Sequence, residues 1–77
     1  MANDQLIIIG KGPAGLSAGI YAGRAGIGTT VIGCAPKVAG DYHIDNYFGF
    51  PETITGGQLI ELGTKQAQRF GVTIREE

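Results

Sequence analysis

Three glycines with the spacing G-x-G-x-x-G directly follow a short apolar run, Leu6–Ile9, and stand at Gly10, Gly12 and Gly15. This spacing, placed between a strand and a helix, is typical of sites that bind the pyrophosphate of a dinucleotide. Glycine accepts positive φ and lets a phosphate approach the backbone, while the helix N-terminus supplies free N–H groups. We therefore predict a dinucleotide site; the alternative is a glycine turn that serves only the fold.

The residues on either side of the turn predict a β-α-β unit. The uninterrupted apolar run Leu6–Ile9 favours a strand buried on both faces of a parallel sheet. Pro13 suits the first position of a helix, which we predict over residues 13–25, and the β-branched stretch 28–33 predicts a second strand. Small residues at helical spacing predict close packing of this helix on the sheet, and they are Gly15, Ala18, Gly19, Ala22 and Gly26.

The second half predicts a loop, a helix and a third strand. Residues 34–52 are broken up by proline and glycine and predict no regular element, and their aromatic rings are either functional or a cover for the sheet edge. Thr55 and Gln58 form a capping box for a helix to about Phe70, followed by a strand at 72–74. The face predicted to be buried comprises Leu59, Leu62, Gly63, Gln66, Ala67 and Phe70. The fold class is α/β, a Rossmann-like β-α-β-loop-α-β half of a nucleotide-binding domain with a short parallel sheet.

Composition excludes several classes of function. Hydrophobic residues make up 43% of the 77 residues, which is enough for a core. A net charge of -1 without charge clusters argues against nucleic-acid and membrane partners. Cys34 is the only cysteine and His43 the only histidine, so we expect no disulfide, no metal site and a cytoplasmic protein.

The adenosine end of the predicted site lacks its usual acidic residue. That carboxylate lies about 20 residues after the glycines, where it holds the ribose. Positions 33–36 read Gly-Cys-Ala-Pro, and Asp41 and Asp45 come only later, inside the loop. We therefore expect backbone groups near Gly33 and the side chain of Lys37 to hold the ribose, which makes a simple NAD dehydrogenase less favoured.

Three segments resemble the low-molecular-weight thioredoxin reductases and their flavoprotein relatives, in family order. They are residues 7–25, residues 44–52 (Ile-Asp-Asn-Tyr-Phe-Gly-Phe-Pro-Glu) and residues 55–71. The resemblance implies an FAD/NAD(P)-binding fold that binds FAD, with Asn46 beside the flavin ring. The residues that it implies around the pyrophosphate are Gly10, Gly12, Pro13, Ala14 and Gly15.

The loop departs from the family pattern. Ala39 and Gly40, with the residue after them, stand where the family often has Gly-Gly-Gln, and Phe48 replaces a proline. We nevertheless predict that Gly40 contacts the cofactor. By the same alignment Cys34 lies near the adenosine end, as a small buried or incidental residue rather than a redox thiol.

The resemblance implies a parent enzyme that passes electrons from NAD(P)H or another donor through FAD to a disulfide or other acceptor, with a redox protein as partner. Residues 1–77 cover only the first piece of its FAD-binding domain, without a second glycine turn or a Cys-x-x-Cys pair. We expect no catalytic residue and no turnover from this chain alone, and a homodimer or other self-association. The alternatives are a truncated fragment that packs with copies of itself without cofactor, and an NAD-binding module.

Overall fold

A computed structural model describes residues 5–34, 36, 39–40 and 42–77. The described part contains a three-stranded sheet, a two-stranded ribbon and two helices. In chain order the elements are β1 (Leu6–Ile9), α1 (Pro13–Arg24), β2 (Thr29–Ile32), β3 (His43–Ile44), β4 (Ile54–Thr55), α2 (Gly56–Arg69) and β5 (Thr73–Arg75). Neither of these helices is long and apolar enough to cross a membrane.

The three-stranded sheet is parallel throughout, with the order β1-β2-β5. The register pairs Ile8 with Val31 on one side of β2 and Ile74 with Val31 on the other. The predicted α/β class with a short parallel sheet is confirmed. Because the strands are parallel, their carboxyl ends meet at one edge, where the glycine turn also lies.

The prediction that β1 is buried on both faces is wrong. Ile9 is 79% exposed, and Leu6 and Ile7 are exposed as well. β1 is an edge strand of the described sheet, so β2 is its only neighbouring strand there. Ile8 alone in β1 packs against the buried core, because its side chain points toward the helices. The continuous apolar run thus has an apolar face that the described elements leave open.

Glycines on helix α1 face the sheet and the segment before β5, where added Cβ atoms would have little room. A Cβ atom at Gly19 would come within 3.1 Å of a methyl group of Val31, which is fully buried. At Gly23 a Cβ atom would lie 2.9 Å from a methyl group of Val72 and 3.0 Å from the backbone oxygen of Phe70. The predicted close packing on the sheet is confirmed at Gly19, whereas Ala18 and Gly26 of the same predicted stripe are exposed. The core beneath comprises Leu16, Val31, Ile60, Ala67 and Val72.

The loop between β2 and α2 contains a short element that the sequence does not predict. Strands β3 and β4 pair antiparallel, with His43 opposite Thr55 and Ile44 opposite Ile54. Ile54 is buried, whereas most of the connecting loop is exposed. The expectation of no regular element over residues 34–52 is therefore wrong at β3.

Helix α2 begins as predicted but is rotated from its predicted orientation. Thr55 accepts a hydrogen bond from the backbone N–H of Gln58, whose side chain accepts one from the backbone of Thr55, so the capping box is confirmed. The buried positions of α2 are Gly56, Ile60 and Ala67, while Leu62 and Gln66 are exposed. The small Gly63 lets α2 approach Leu16 of α1, so the contact is centred away from Leu62.

Two glycine-to-alanine substitutions should change stability in opposite directions. Gly63→Ala should raise the free energy of unfolding by about 1 kcal/mol, because its Cβ atom would make an ordinary 3.4 Å contact inside a helix. Gly23→Ala should lower it by about 1–2 kcal/mol, because the new atom would press on Val72 and on a backbone oxygen. Urea unfolding monitored by circular dichroism measures both, and equal shifts of the same sign would contradict the packing described.

Candidate functional site

The turn between β1 and α1 has the backbone shape that its glycines allow. Gly10 has a φ of 118°, a conformation that side-chain-bearing residues rarely adopt. Gly12 is the extended N-cap of α1, and Pro13 occupies the first turn of the helix. We call residues 10–15 the glycine cradle.

Backbone segments meet in the glycine cradle at distances that leave no room for a side chain. A Cβ atom at Gly15 would overlap the carbonyl oxygen of Gly10. A Cβ atom at Gly33, which follows β2, would lie 2.9 Å from the backbone nitrogen of Lys11. At Gly12, by contrast, Pro36 is the only described residue that comes within 4 Å of such a Cβ atom, at 3.7 Å. The cradle is therefore tight beneath Gly10 and more open at Gly12.

The charges around α1 favour an anion at its N-terminus. Its first turn has no acidic side chain and no side-chain cap, and Arg24 lies in its last turn. The first N–H groups of a helix have no acceptor within the helix, and they carry the positive end of its dipole. Ala14, in the first turn, is exposed. This arrangement can accept a phosphate through backbone N–H groups.

The backbone of Gly33 already takes part in the sheet. Its N–H donates to the carbonyl oxygen of Arg75 at 3.0 Å, and its own carbonyl accepts from Glu77 at 3.3 Å. Gly33 thus joins the end of β2 to the residues that follow β5. Cys34 is exposed, so of the two predicted alternatives, a small buried residue or an incidental one, the buried one is wrong. Lys37 lies outside the described residues.

The other two candidate residues lie on separate segments. The backbone oxygen of Gly40 accepts from the N–H of Gly57, so it rests on the first turn of α2. Asn46 is exposed in the loop after β3, where it lines a shallow depression with Phe48 and Pro51. The neighbouring Asp45 accepts a hydrogen bond from Thr53, which ties the two ends of this loop together.

The glycine cradle contains one partner of an ion pair that the sequence does not predict. Lys11, between the first two cradle glycines, contacts the carboxylate of Glu76 through its ammonium group. The side chain of Lys11 is only 9% exposed, and that of Glu76 is 66% exposed. These residues are 65 positions apart, so no local spacing brings them together. A charged residue at the second position of the glycine motif is the one signal that could have directed attention here.

A groove of about 690 Å³ runs between α1 and α2 and reaches the cradle only at Pro13. Its walls include Tyr21 and Leu62, both exposed, and Arg24 and Arg69. Among the residues that the structure describes, no group of three or more His, Cys, Asp or Glu could hold a metal ion.

Known proteins match this chain closely in both sequence and structure. It is 41% identical over 80 residues to a thioredoxin reductase of Chlamydia trachomatis, covering 96% of this chain and 26% of the relative. The chain is related to the thioredoxin reductases. It is 38% identical over 81 residues to the NADPH-dependent thioredoxin reductase 3 of Arabidopsis thaliana, covering 96% of this chain and 15% of that protein. No protein-family model matches the chain.

A solved structure extends the match to the fold. The crystal structure of an atypical thioredoxin reductase from Desulfovibrio vulgaris Hildenborough superposes with a TM-score of 0.92 and 67% sequence identity. The alignment covers 95% of this chain and 25% of that one. The chain thus spans about a quarter of the length, or less, of the relatives described here. The predicted resemblance to the thioredoxin reductases is confirmed.

Alanine substitutions at Gly15 and Gly12 should lower the free energy of unfolding to different extents. Gly15→Ala should lower the free energy of unfolding by about 3 kcal/mol, because its Cβ atom overlaps a backbone oxygen that cannot move without reshaping the turn. Gly12→Ala should lower it by about 1 kcal/mol at most, because its Cβ atom has room beside Pro36. Urea unfolding measures both, and equal losses would contradict the difference in packing.

Proposed function

We propose that this thioredoxin-reductase-like chain is the segment that holds the diphosphate of FAD in a flavoprotein oxidoreductase. The observation that carries the proposal is the glycine cradle, in which a first helical turn without acidic side chains lies against the carbonyl of Gly10. Side-chain-free backbone and open N–H groups suit a pyrophosphate. The match to thioredoxin reductases supports the same assignment.

The choice of FAD over NAD rests on the resemblance to the flavoproteins. The second segment of the resemblance, residues 44–52, is the one that the flavoprotein family places against the flavin ring. In this proposal Gly10, Gly12, Pro13, Ala14 and Gly15 surround the diphosphate.

The other proposed contacts with FAD lie outside the cradle. Asn46 would lie beside the flavin ring, and Gly40 would approach the cofactor from the start of α2. Gly33, Cys34 and Lys37 would border the adenosine. The exposure of Asn46 and Cys34 supports these roles, because an accessible side chain can meet a ligand without rearrangement of the core.

The whole protein, in this proposal, passes electrons from a donor through FAD to a disulfide or other acceptor. FAD supplies the redox chemistry, whereas this chain binds and orients it. A reduced nicotinamide is the donor that the name of the Arabidopsis relative suggests, and thioredoxin is the protein partner that the names of all three relatives suggest.

Self-association is the second candidate role, because the described surface leaves apolar residues open. Ile7 and Ile9 are exposed on β1, which is an edge strand of the described sheet. Tyr21 and Leu62 are exposed along the groove between the helices. Exposed strand edges and apolar patches favour contact with another copy of the chain.

FAD binding should depend on the open part of the cradle. The chain incubated with FAD and passed through a desalting column should retain yellow colour. Gly12→Ala should weaken FAD binding about tenfold, because its Cβ atom would hold the diphosphate away from the N–H groups, a loss of about 1.4 kcal/mol. Fluorescence quenching of FAD measures the dissociation constant, and Gly63→Ala, on the far helix, is the matched control.

Three results would contradict the FAD proposal. A folded chain that stays colourless with excess FAD, and sediments as an oligomer, would favour self-association without cofactor. Tighter binding of NAD than of FAD would favour an NAD-binding module. Equal FAD affinity in the Gly12→Ala variant and the parent chain would remove the cradle from the binding site.

A further inference from the structure

The carboxyl end of β5 lies beside the place where the ribose-binding acid is missing. The adjacent strands β2 and β5 are parallel, so they end at the same edge of the sheet. Hydrogen bonds from Gly33 to Arg75 and from Glu77 to Gly33 continue the pairing beyond both strands. Glu76 lies between these two bonded residues, so its backbone is fixed next to Gly33. A carboxylate from the residue after β5 is thereby available at the end of β2.

The side chain of Glu76 turns toward the glycine cradle. Its Oε1 atom contacts the ammonium of Lys11, which belongs to the cradle. Glu77, one residue later, instead pairs with Arg75. Successive side chains of an extended chain point to opposite faces, which accounts for the different partners of the two glutamates. Glu76 therefore extends over the edge of the sheet where a bound nucleotide would lie.

We propose that Glu76 accepts a hydrogen bond from the 2′-hydroxyl of the adenosine ribose, in place of the acid that is absent after β2. This inference rests on the proposed nucleotide site. The carboxylate has about four acceptor positions, and its contact with Lys11 uses one oxygen. With 66% of the Glu76 side chain exposed, acceptor positions remain open to a ligand. The same negative charge repels a phosphate on the 2′ position, so the site selects adenosine with free hydroxyls.

Lys11 positions this carboxylate. Because the Lys11 side chain is only 9% exposed, its charge needs a counter-charge, and Glu76 supplies it. The pair holds Glu76 against the cradle rather than free in solvent. It also engages the Lys11 charge, which would otherwise attract a 2′-phosphate.

The test compares ADP, 2′-deoxy-ADP and 2′-phospho-ADP on the 77-residue chain by isothermal titration calorimetry. Glu76→Gln should weaken ADP binding about tenfold and change 2′-deoxy-ADP binding less than about twofold, because only ADP offers the 2′-hydroxyl. The same variant should strengthen 2′-phospho-ADP binding several-fold. Glu77→Gln removes the same charge one residue away and should leave all three affinities close to those of the parent chain.

A second pair of variants controls for an effect of Glu76→Gln on folding. In Lys11→Met the ion pair is already absent, so a further Glu76→Gln change removes only the proposed ribose contact. The preference for ADP over 2′-deoxy-ADP should shrink in Lys11→Met, because Glu76 is no longer held against the cradle, and should disappear in the double variant. Thermal melting is used to choose a temperature at which both variants are folded.

The outcomes separate the two proposals. A parent chain that binds neither ADP nor FAD overturns the nucleotide site and this inference with it. A parent chain that binds ADP, with Glu76→Gln weakening ADP and 2′-deoxy-ADP equally, overturns the ribose contact alone and leaves Glu76 with a structural role through Lys11. Equal effects of Glu76→Gln and Glu77→Gln overturn it as well, since general charge would then explain the loss.

Discussion

The contact between Gly15 and the carbonyl of Gly10 is the constraint on which the rest of the molecule depends. It brings the first turn of α1 against the end of β1, so the helix N-terminus opens directly over the carboxyl edge of the sheet. Gly33 lets the end of β2 meet the same turn. A side chain at either position would separate the three segments. The absence of side chains at Gly15 and Gly33 is therefore what allows the cradle to form.

Helix α1 stays close to its neighbours beyond the cradle, and this limits the size of the core. Gly19 and Gly23 bring the helix against Val31 and Val72, so little side-chain volume lies between helix and sheet. Glycine within a helix is unfavourable by about 1 kcal/mol relative to alanine, and tight packing of buried methyl groups offsets that cost. The described core is correspondingly small, and the outward face of β1 stays open. The chain thus places its tightest packing directly behind the candidate site.

Local patterns predicted local structure well, and tertiary contacts decided the rest. The glycine turn, Pro13 at the start of α1 and the capping box of α2 each act within a few residues, so the sequence alone reveals them. Burial of β1 depends on which elements cover it, and the orientation of α2 depends on its contact with Leu16. The β3–β4 ribbon is only two residues long in each strand, too short for a periodic pattern. The pair of Lys11 and Glu76 joins opposite ends of the chain, which no spacing rule detects.

In the proposed complex, a nucleotide diphosphate lies on the backbone of the glycine cradle. Amide chemical shifts of the ¹⁵N-labelled chain, followed by NMR while FAD is added, test it residue by residue. Binding at the cradle should give saturable shifts that are largest at Gly12, Ala14 and Gly15, whose N–H groups would meet the phosphates. Shifts confined to the groove between the helices, at residues such as Tyr21 and Leu62, would contradict it.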